Sequence, residues 1–218
     1  MKCAAPALAC VSNTATIYIV DDDAQSRKAV LTLGQAMGIP TEGFASAEEF
    51  LEAYDGRRPA CLVTDVRMLG MSGLELQERL NQLEVSISVA VLTAFASTPT
   101  TVRAMRNGAT TLLEKPCGDD ELWEAICAGL AADEKNWQIQ CSRDAVLERV
   151  RSLTPKERQV LEFIVAGDAN KVVARKLDVS VRTVENHRQR IFQKMHAVSL
   201  AELVRSALAA GITADNEP

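Results

Sequence analysis

Three aspartates, a threonine and a lysine stand at the ends of short apolar runs, and these residue types are suited to phosphoryl chemistry. Asp21 and Asp22 follow TIYIV, Asp65 follows CLVT, Thr93 ends SVAVLT, and Lys115 follows TTLLE. An aspartate can attack a phosphoryl group and carry it as an acyl phosphate. Positive charge from a lysine and a bridging metal stabilises the phosphoryl oxygens during such a transfer. If the five side chains meet, they form a site that can accept a phosphoryl group.

These side chains meet only if the apolar runs are neighbouring strands of one sheet. Strands are predicted at residues 14–20, 41–44, 60–64, 88–94 and 110–116. Helices are predicted at residues 25–37, 46–54, 72–83 and 99–107, and from residue 119 or 120 onward. Strands that alternate with helices in this way indicate an α/β fold with a doubly wound, five-stranded parallel sheet. Ligands of such sheets bind outside the carboxyl ends of the strands, so we expect Asp65 at an exposed rim.

The three carboxylates predict a metal ion in this site. Negative charges that lie close together repel one another, and a cation between them removes that repulsion. Mg²⁺ prefers oxygen ligands and usually keeps several of its water molecules when a protein binds it. Asp21, Asp22 and Asp65 are therefore candidate ligands of Mg²⁺.

Residues 16 to about 132 resemble the CheY-like receiver domain of two-component response regulators. Four motifs carry the resemblance, in order and each at a predicted strand end. They are IVDD at 19–22, VTD at 63–65, VLTA at 91–94 and EKP at 114–116. The resemblance implies that a histidine kinase supplies the phosphoryl group.

The resemblance also implies a role for each acidic residue. Asp65 would be the phosphoacceptor and Asp22 a direct ligand of Mg²⁺, whereas Asp21 would act largely through water. The backbone carbonyl of Arg67 would complete the ligands that the protein supplies.

Two positions depart from the receiver pattern, although Thr93 and Lys115 are present as the residues implied to hold the phosphoryl group. Leu69 stands where the family usually has a proline after Arg-Met. Leu112 stands where the family usually has a tyrosine or phenylalanine that couples phosphorylation to the output face. Phe95, two residues after the threonine, is a candidate substitute for that ring. The sequence thus predicts an intact phosphorylation site and leaves open how its state is transmitted.

Charge divides the chain into two parts. Residues 1–132 hold 10 Lys and Arg against 17 Asp and Glu, a net charge of −7. Residues 151–212 hold 11 against 6, a net charge of +5. An acidic part followed by a basic part indicates two domains with different partners. Between them, residues 133–150 are predicted to form a helical linker, and residues 1–14 and 213–218 are predicted tails.

The basic part is predicted to be an all-α domain of four helices that contains a helix-turn-helix. Its longer helix, SVRTVENHRQRIFQKM, places Arg182, Glu185, Asn186 and Gln189 on one face at i, i+3, i+4 and i+7. These side-chain types can read the edges of bases in a DNA groove, and nearby Lys and Arg can hold phosphates. The candidate DNA contacts are Lys171, Arg182, Thr183, Glu185, Asn186, Arg188, Gln189, Arg190 and Lys194.

Residues 153–212 resemble the LuxR-type DNA-binding domain, through LTPKERQVLEFIVAG, NKVVARKL, VSVRTVENHRQRIFQKM and SLAELVRSAL. A receiver at 15–132 followed by this domain at 151–212 is the NarL/FixJ architecture, and LVTDVRM favours the FixJ type. The resemblance implies a transcription regulator, not an enzyme, that is phosphorylated by a histidine kinase and then dimerises on double-stranded DNA. RNA polymerase is a candidate further partner.

Two other interpretations account for part of the sequence. An atypical regulator would use its receiver for dimerisation without phosphorylation, and Leu112 leaves this interpretation open. A phosphatase of the haloacid dehalogenase type would pair Asp21 with Asp23, but it leaves residues 153–212 unexplained. No apolar run approaches the roughly 20 residues of a membrane helix, and the six cysteines form no C-x-x-C pair. A cytoplasmic protein without membrane contact is therefore expected.

Overall fold

The computed structural model describes residues 15–213 and confirms an α/β sheet followed by a helical domain. Residues 1–14 of the predicted N-terminal tail and residues 214–218 of the predicted C-terminal tail lie outside the described part. The chain divides into two compact units between Gln138 and Ile139. Within residues 15–213, the structure contains no helix of the length and apolar character that crossing a membrane requires.

The first unit contains one sheet of five parallel strands. They are β1 (Thr16–Val20), β2 (Thr41–Phe44), β3 (Ala60–Asp65), β4 (Ser88–Thr93) and β5 (Ala109–Glu114). Their order across the sheet is β2-β1-β3-β4-β5. Because every pair of neighbours is parallel, the carboxyl ends of all five strands lie at the same edge. The residues that follow β1, β3, β4 and β5 are therefore neighbours in space.

Five helices follow the five strands. They are α1 (Ala24–Ala36), α2 (Ala47–Ala53), α3 (Gly73–Gln82), α4 (Thr98–Arg106) and α5 (Asp119–Arg151). The side chains of Asp23, Ser46, Ser72 and Ser97 each accept a backbone N–H at the start of the helix that follows. Such caps satisfy N–H groups that have no partner within the helix, and they fix where each helix begins. α5 runs unbroken through residue 133, where the helical linker was predicted to start.

Helices cover the sheet on both faces and hold the strand ends in place. Successive side chains of a strand point to opposite faces. Ile17 and Ile19 accordingly pack in a core with residues of α1 and α5, whereas Tyr18 and Val20 pack in another with residues of α2, α3 and α4. A parallel sheet that is buried on both faces leaves only its edges for a polar site.

The second unit is helical. Beyond α5 its helices are α6 (Pro155–Val165), α7 (Asn170–Lys176), α8 (Val181–Met195) and α9 (Leu200–Ala209). One core joins them and contains, among others, Leu161, Val173, Ile191 and Leu203, which are fully buried. Ser180 caps the start of α8, and its hydroxyl accepts the N–H of Thr183. This packing leaves one side of α8 outside the core.

Candidate phosphorylation site and DNA-binding surface

Three strand ends bring the predicted carboxylates and the lysine together. Asp21 follows β1, Asp65 ends β3, and the two strands are paired up to Val20 and Thr64. One carboxylate oxygen from each of Asp21, Asp22 and Asp65 lies within 4.8 Å of the other two. The lysine after β5 reaches into this cluster with its ammonium group.

Lys115 joins two of the three carboxylates. Its Nζ donates to Asp21 Oδ2 at 2.6 Å and to Asp65 Oδ2 at 3.1 Å. Burial by itself would lower the pKa of this lysine, but the hydrogen bonds and charges of the two aspartates outweigh burial and raise the pKa. The side chain therefore stays charged at neutral pH. It also lies 3.4 Å from the hydroxyl of Ser26, which the sequence did not indicate as part of the site.

Asp65 was expected at an exposed rim of the sheet, but the structure shows that it is buried. That expectation was wrong. Its side chain is only 13% exposed, and Asp21 is fully buried, whereas Asp22 is exposed. A carboxylate tolerates burial when it is paired and hydrogen-bonded. Lys115 supplies the pairing charge, and the N–H of Arg67 lies 3.4 Å from Asp65 Oδ1.

The loop after β3 is fitted closely around the end of that strand. A Cβ at Gly73 would lie 2.1 Å from the carbonyl oxygen of Asp65, so only glycine allows α3 to begin this close. The backbone N–H of Leu69 donates to Asp22 Oδ2 at 3.0 Å. The hydrogen bond from Leu69 was not predicted, because it joins residues 47 positions apart and leaves no local pattern.

The acidic cluster fits a small, hard cation. Two oxygens on opposite sides of Mg²⁺ are about 4.2 Å apart, since each lies about 2.1 Å from the ion. One oxygen from each of Asp21, Asp22 and Asp65 lies within 4.8 Å of the others, which is close to the width of one Mg²⁺ coordination shell. Oxygen is also the ligand atom that Mg²⁺ prefers. The donor set thus supports the predicted metal.

Thr93 and the two switch candidates, Phe95 and Leu112, differ in how deeply they are buried. Thr93 is buried at the end of β4, and its Oγ1 accepts the N–H of Phe95 at 3.2 Å. The ring of Phe95 is 61% exposed, so it lies outside both cores of the unit. Leu112 is partly buried and packs against the core on the side of α2, α3 and α4. The ring and the leucine are therefore in different environments.

Asp23 caps a helix and stands outside the acidic cluster. Its carboxylate accepts the N–H of Ser26 at 2.9 Å and that of Gln25 at 3.3 Å. The hydrogen bonds from Ser26 are the main cause of a lowered pKa at Asp23. The interpretation as a phosphatase needed Asp23 beside Asp21 as a working pair, and the helix cap gives Asp23 another role.

In the second unit, α8 presents the predicted polar face. Val184, Ile191 and Met195 are buried in the core. The exposed predicted contacts on α8 are Arg182, Glu185, Asn186, Gln189 and Arg190, while Thr183 and Arg188 are half-buried. Lys171 of α7 is exposed. The hydroxyl of Thr183 lies 2.8 Å from that of Ser180 within the helix cap.

Lys194 has a structural role that the sequence analysis did not identify. Its Nζ donates to Glu157 Oε2 at 2.6 Å and to the carbonyl of Ser152 at 3.1 Å. Glu157 is buried and also accepts the N–H of Thr154 in a capping box. Removing the ammonium would leave a buried carboxylate without its counter-charge. The ion pair gives Lys194 a role within the fold, and its predicted phosphate contact stays a prediction.

Comparisons with known proteins agree with both units. Residues 17–127 match the response regulator receiver domain, and residues 151–207 match the luxR family of bacterial regulatory proteins. The transcriptional regulatory protein FixJ of Bradyrhizobium diazoefficiens is 39% identical over 199 residues, which cover 91% of this chain and 97% of that protein.

Two solved structures cover most of the chain as well. The response regulator StyR is 38% identical, with a TM-score of 0.81, and the match covers 89% of this chain and 98% of that one. Full-length FixJ from B. japonicum is 39% identical, with a TM-score of 0.54 and coverage of 90% and 97%.

A receiver sheet with an acidic cluster, joined to a LuxR-type helix-turn-helix unit, defines a response regulator that controls transcription. Two of the relatives named above are FixJ proteins, and they identify the subgroup within this class. The chain belongs to the NarL/FixJ family and is a FixJ-like transcriptional regulator.

Proposed function

We propose that Asp65 accepts a phosphoryl group from a histidine kinase, and that phosphorylation favours a homodimer that binds specific double-stranded DNA. The observation that carries the proposal is the position of Lys115 Nζ, which contacts Asp65 and Asp21 beside Asp22. An attacking carboxylate, a cation and further oxygen ligands are the groups that phosphoryl transfer to an aspartate requires.

In the proposed transfer, an oxygen of Asp65 attacks the phosphorus atom of the kinase phosphohistidine. The bond between phosphorus and the histidine nitrogen breaks, and an acyl phosphate remains on Asp65. Lys115 already lies 3.1 Å from Asp65 and keeps its charge, so it can pair with a phosphoryl oxygen. Thr93 would exchange its contact with the backbone of Phe95 for another such oxygen.

Asp21, Asp22, Asp65 and the carbonyl of Arg67 would hold Mg²⁺. When bound, the ion supplies positive charge that offsets the negative charge of the phosphoryl oxygens. The direct test of the whole proposal is incubation of the full-length protein with a small phosphodonor and Mg²⁺. Mass, oligomeric state and DNA affinity are then measured on the same sample, and all three are expected to change.

The surface of α8 supports specific DNA binding by the second unit. Its exposed face carries amide, carboxylate and guanidinium groups, which can form hydrogen bonds with base edges. The net charge of +5 over residues 151–212 favours association with the phosphate backbone. A regulator that binds a promoter in this way also has RNA polymerase as a candidate partner.

Base reading and phosphate binding are expected to separate by mutation. Asn186→Ala or Gln189→Ala should cost about 1–3 kcal/mol of binding free energy on the specific operator and little on random DNA, because amides read base edges. Lys171→Ala is the matched control and should weaken both complexes about equally. For Lys171→Ala, the slope of log affinity against log salt concentration should become shallower by about 0.9, which is the contribution of one phosphate contact to that slope. Binding of the full-length variants to both DNAs is measured over a salt series.

The proposed assignment of α8 fails if these variants behave alike. Asn186 and Gln189 are exposed, so their replacement is not expected to disturb the fold. A proportional loss on operator and random DNA for every variant would mean that α8 binds phosphates and reads no bases.

We propose that Leu112 gives the receiver a weak switch. Leucine has no ring to move inward when Thr93 approaches the phosphoryl group, and so it changes the surface less than an aromatic residue. The coupling between phosphorylation and dimerisation is then expected near the lower end of about 1–3 kcal/mol. Leu112→Tyr should increase this coupling. Sedimentation with and without a phosphoryl mimic measures the monomer–dimer equilibrium for both proteins.

Phe95→Ala is the matched variant for this experiment, because the Phe95 ring is exposed and outside the cores. If Leu112 limits the switch, Phe95→Ala leaves the phosphorylation-dependent shift nearly as it is. A large wild-type shift that Phe95→Ala removes and Leu112→Tyr does not change would assign the switch to Phe95 instead.

A further inference from the structure

The loop between β3 and α3, residues 66–72, is tied to carboxylates from two other parts of the receiver. The N–H of Leu69 donates to Asp22 Oδ2 at 3.0 Å, and the N–H of Met71 donates to Glu48 Oε1 at 3.2 Å. Between them Gly70 has a φ of +82°, a left-handed conformation that favours glycine. The loop is thus held through its backbone in a fixed path.

Leu69 acts in this loop through its N–H and not through its side chain. The side chain is 82% exposed. Receivers usually have proline at this position, and proline has no N–H to donate. This chain therefore has a hydrogen-bond donor that the usual residue lacks, and the donor points at a candidate ligand of Mg²⁺.

Asp22 differs from the other two carboxylates in what holds it. Lys115 holds Asp21 and Asp65, and both are buried. Asp22 is exposed, and the hydrogen bond from Leu69 is what orients its carboxylate. A carboxylate has two oxygens and several lone pairs, so donation to Oδ2 leaves Oδ1 for an ion. Hydrogen bonds of this kind orient ligands before the metal arrives.

We propose that the Leu69 N–H is a positioning group for metal binding. It fixes the orientation of the Asp22 carboxylate and links it to the loop that carries the Arg67 carbonyl. Two proposed ligands of the ion are therefore held in position before the ion binds. The inference rests on the proposed Mg²⁺ site and adds to it a backbone donor that a proline at position 69 would abolish.

A pair of variants isolates the N–H group. Leu69→Pro removes the N–H, whereas Leu69→Ala keeps it and removes the exposed side chain. Mg²⁺ is titrated into each full-length protein without phosphodonor, and the backbone amide signals of the site are followed by NMR. We expect Leu69→Pro to bind Mg²⁺ about tenfold more weakly than Leu69→Ala, the lower end of the usual effect of losing a group that orients a ligand.

A second measurement keeps the test decisive if Leu69→Pro does not fold. Amide hydrogen exchange at Leu69 is measured in the metal-free wild type and in Asp22→Ala. The hydrogen bond predicts exchange at least tenfold slower in the wild type. Equal rates in the two proteins would overturn the proposal.

Each result of the titration has one meaning. Equal affinities of Leu69→Pro and Leu69→Ala would overturn the proposal, and tighter binding by Leu69→Pro would overturn it by showing that the N–H competes with the ion. Failure of the wild type to bind Mg²⁺ would remove the proposed metal site and this inference with it. If the metal binds as expected but Asp65 takes up no phosphate, the phosphorylation proposal fails and the positioning role stands.

Discussion

Asp65→Asn is expected to abolish incorporation of a phosphoryl group into the protein. The amide has nearly the shape of the carboxylate but no negative charge, so it cannot attack phosphorus in its place. Lys115 keeps its shorter hydrogen bond, to Asp21, and the fold is therefore expected to persist. Intact-mass spectra after incubation with a small phosphodonor and Mg²⁺ should show one phosphate on the wild type and none on the variant.

Asp55→Asn is the matched control for this experiment. Asp55 is a half-exposed aspartate whose contacts include an exposed ion pair with Arg57, and it lies outside the acidic cluster. The control should incorporate phosphate as the wild type does. A phosphate on Asp65→Asn at the wild-type level would transfer the acceptor role to another residue and contradict the assignment.

Four of the five strands, β1, β3, β4 and β5, were predictable because each is a short, mainly apolar run that ends on a polar residue or directly before one. Every strand lies within two residues of its predicted limits. Parallel pairing then placed Asp21, Asp65 and Lys115 at one edge without further information. The expected exposure of Asp65 was wrong, because the burial of a side chain depends on everything packed around it and not on its own strand alone.

Contacts between distant residues were not predictable from local patterns. Leu69 and Asp22 are 47 residues apart, and Arg58 and Asp133 are 75 apart. Local contacts at α2 also depend on the folded chain. The Ser46 hydroxyl accepts the N–H of Glu49, whereas the Glu49 carboxylate accepts the N–H of Ala45 and so does not complete a capping box.

On α8 the helical period correctly separated buried from exposed residues. It could not show which charged side chains form ion pairs within the fold. Val184 and Ile191 are buried, and Asn186 and Gln189 are exposed, as the spacing predicts. Lys194 was assigned to DNA because it is basic and near that face. Its partner Glu157 lies 37 residues earlier, so only the folded structure reveals the ion pair.

Asp133 is a buried charge at the amino-terminal end of the sheet, opposite the acidic cluster of Asp21, Asp22 and Asp65. It is 1% exposed. Its Oδ2 accepts hydrogen bonds from Nε of Arg58 at 2.6 Å and from the backbone N–H of Ala60 at 2.8 Å. Its Oδ1 accepts the N–H of Ser88 at 3.1 Å. Ala60 and Ser88 are the first residues of β3 and β4. One carboxylate on α5 thereby satisfies the first N–H groups of two central strands and a buried guanidinium.

Asp133→Ala is therefore expected to destabilise the receiver by about 3–5 kcal/mol, because it leaves a buried positive charge and two buried N–H groups without their acceptor. Urea unfolding of the full-length protein measures the loss. Tryptophan fluorescence reports on the first unit, since both tryptophans, Trp123 and Trp137, lie in it. The midpoint of this transition should fall to lower urea, with little change in its slope.

The neighbouring arginines provide the control that separates a buried ion pair from an exposed one. Arg58 is 8% exposed and pairs with Asp133, whereas Arg57 is 50% exposed and pairs with Glu42 and Asp55. Arg57→Ala should cost no more than about 1 kcal/mol, as exposed ion pairs contribute little. Adding Arg58→Ala to Asp133→Ala should cost less than the sum of the single changes, because the double variant leaves no unpaired charge. Equal losses for Arg57→Ala and Asp133→Ala would mean that the buried carboxylate is not what holds these strands together.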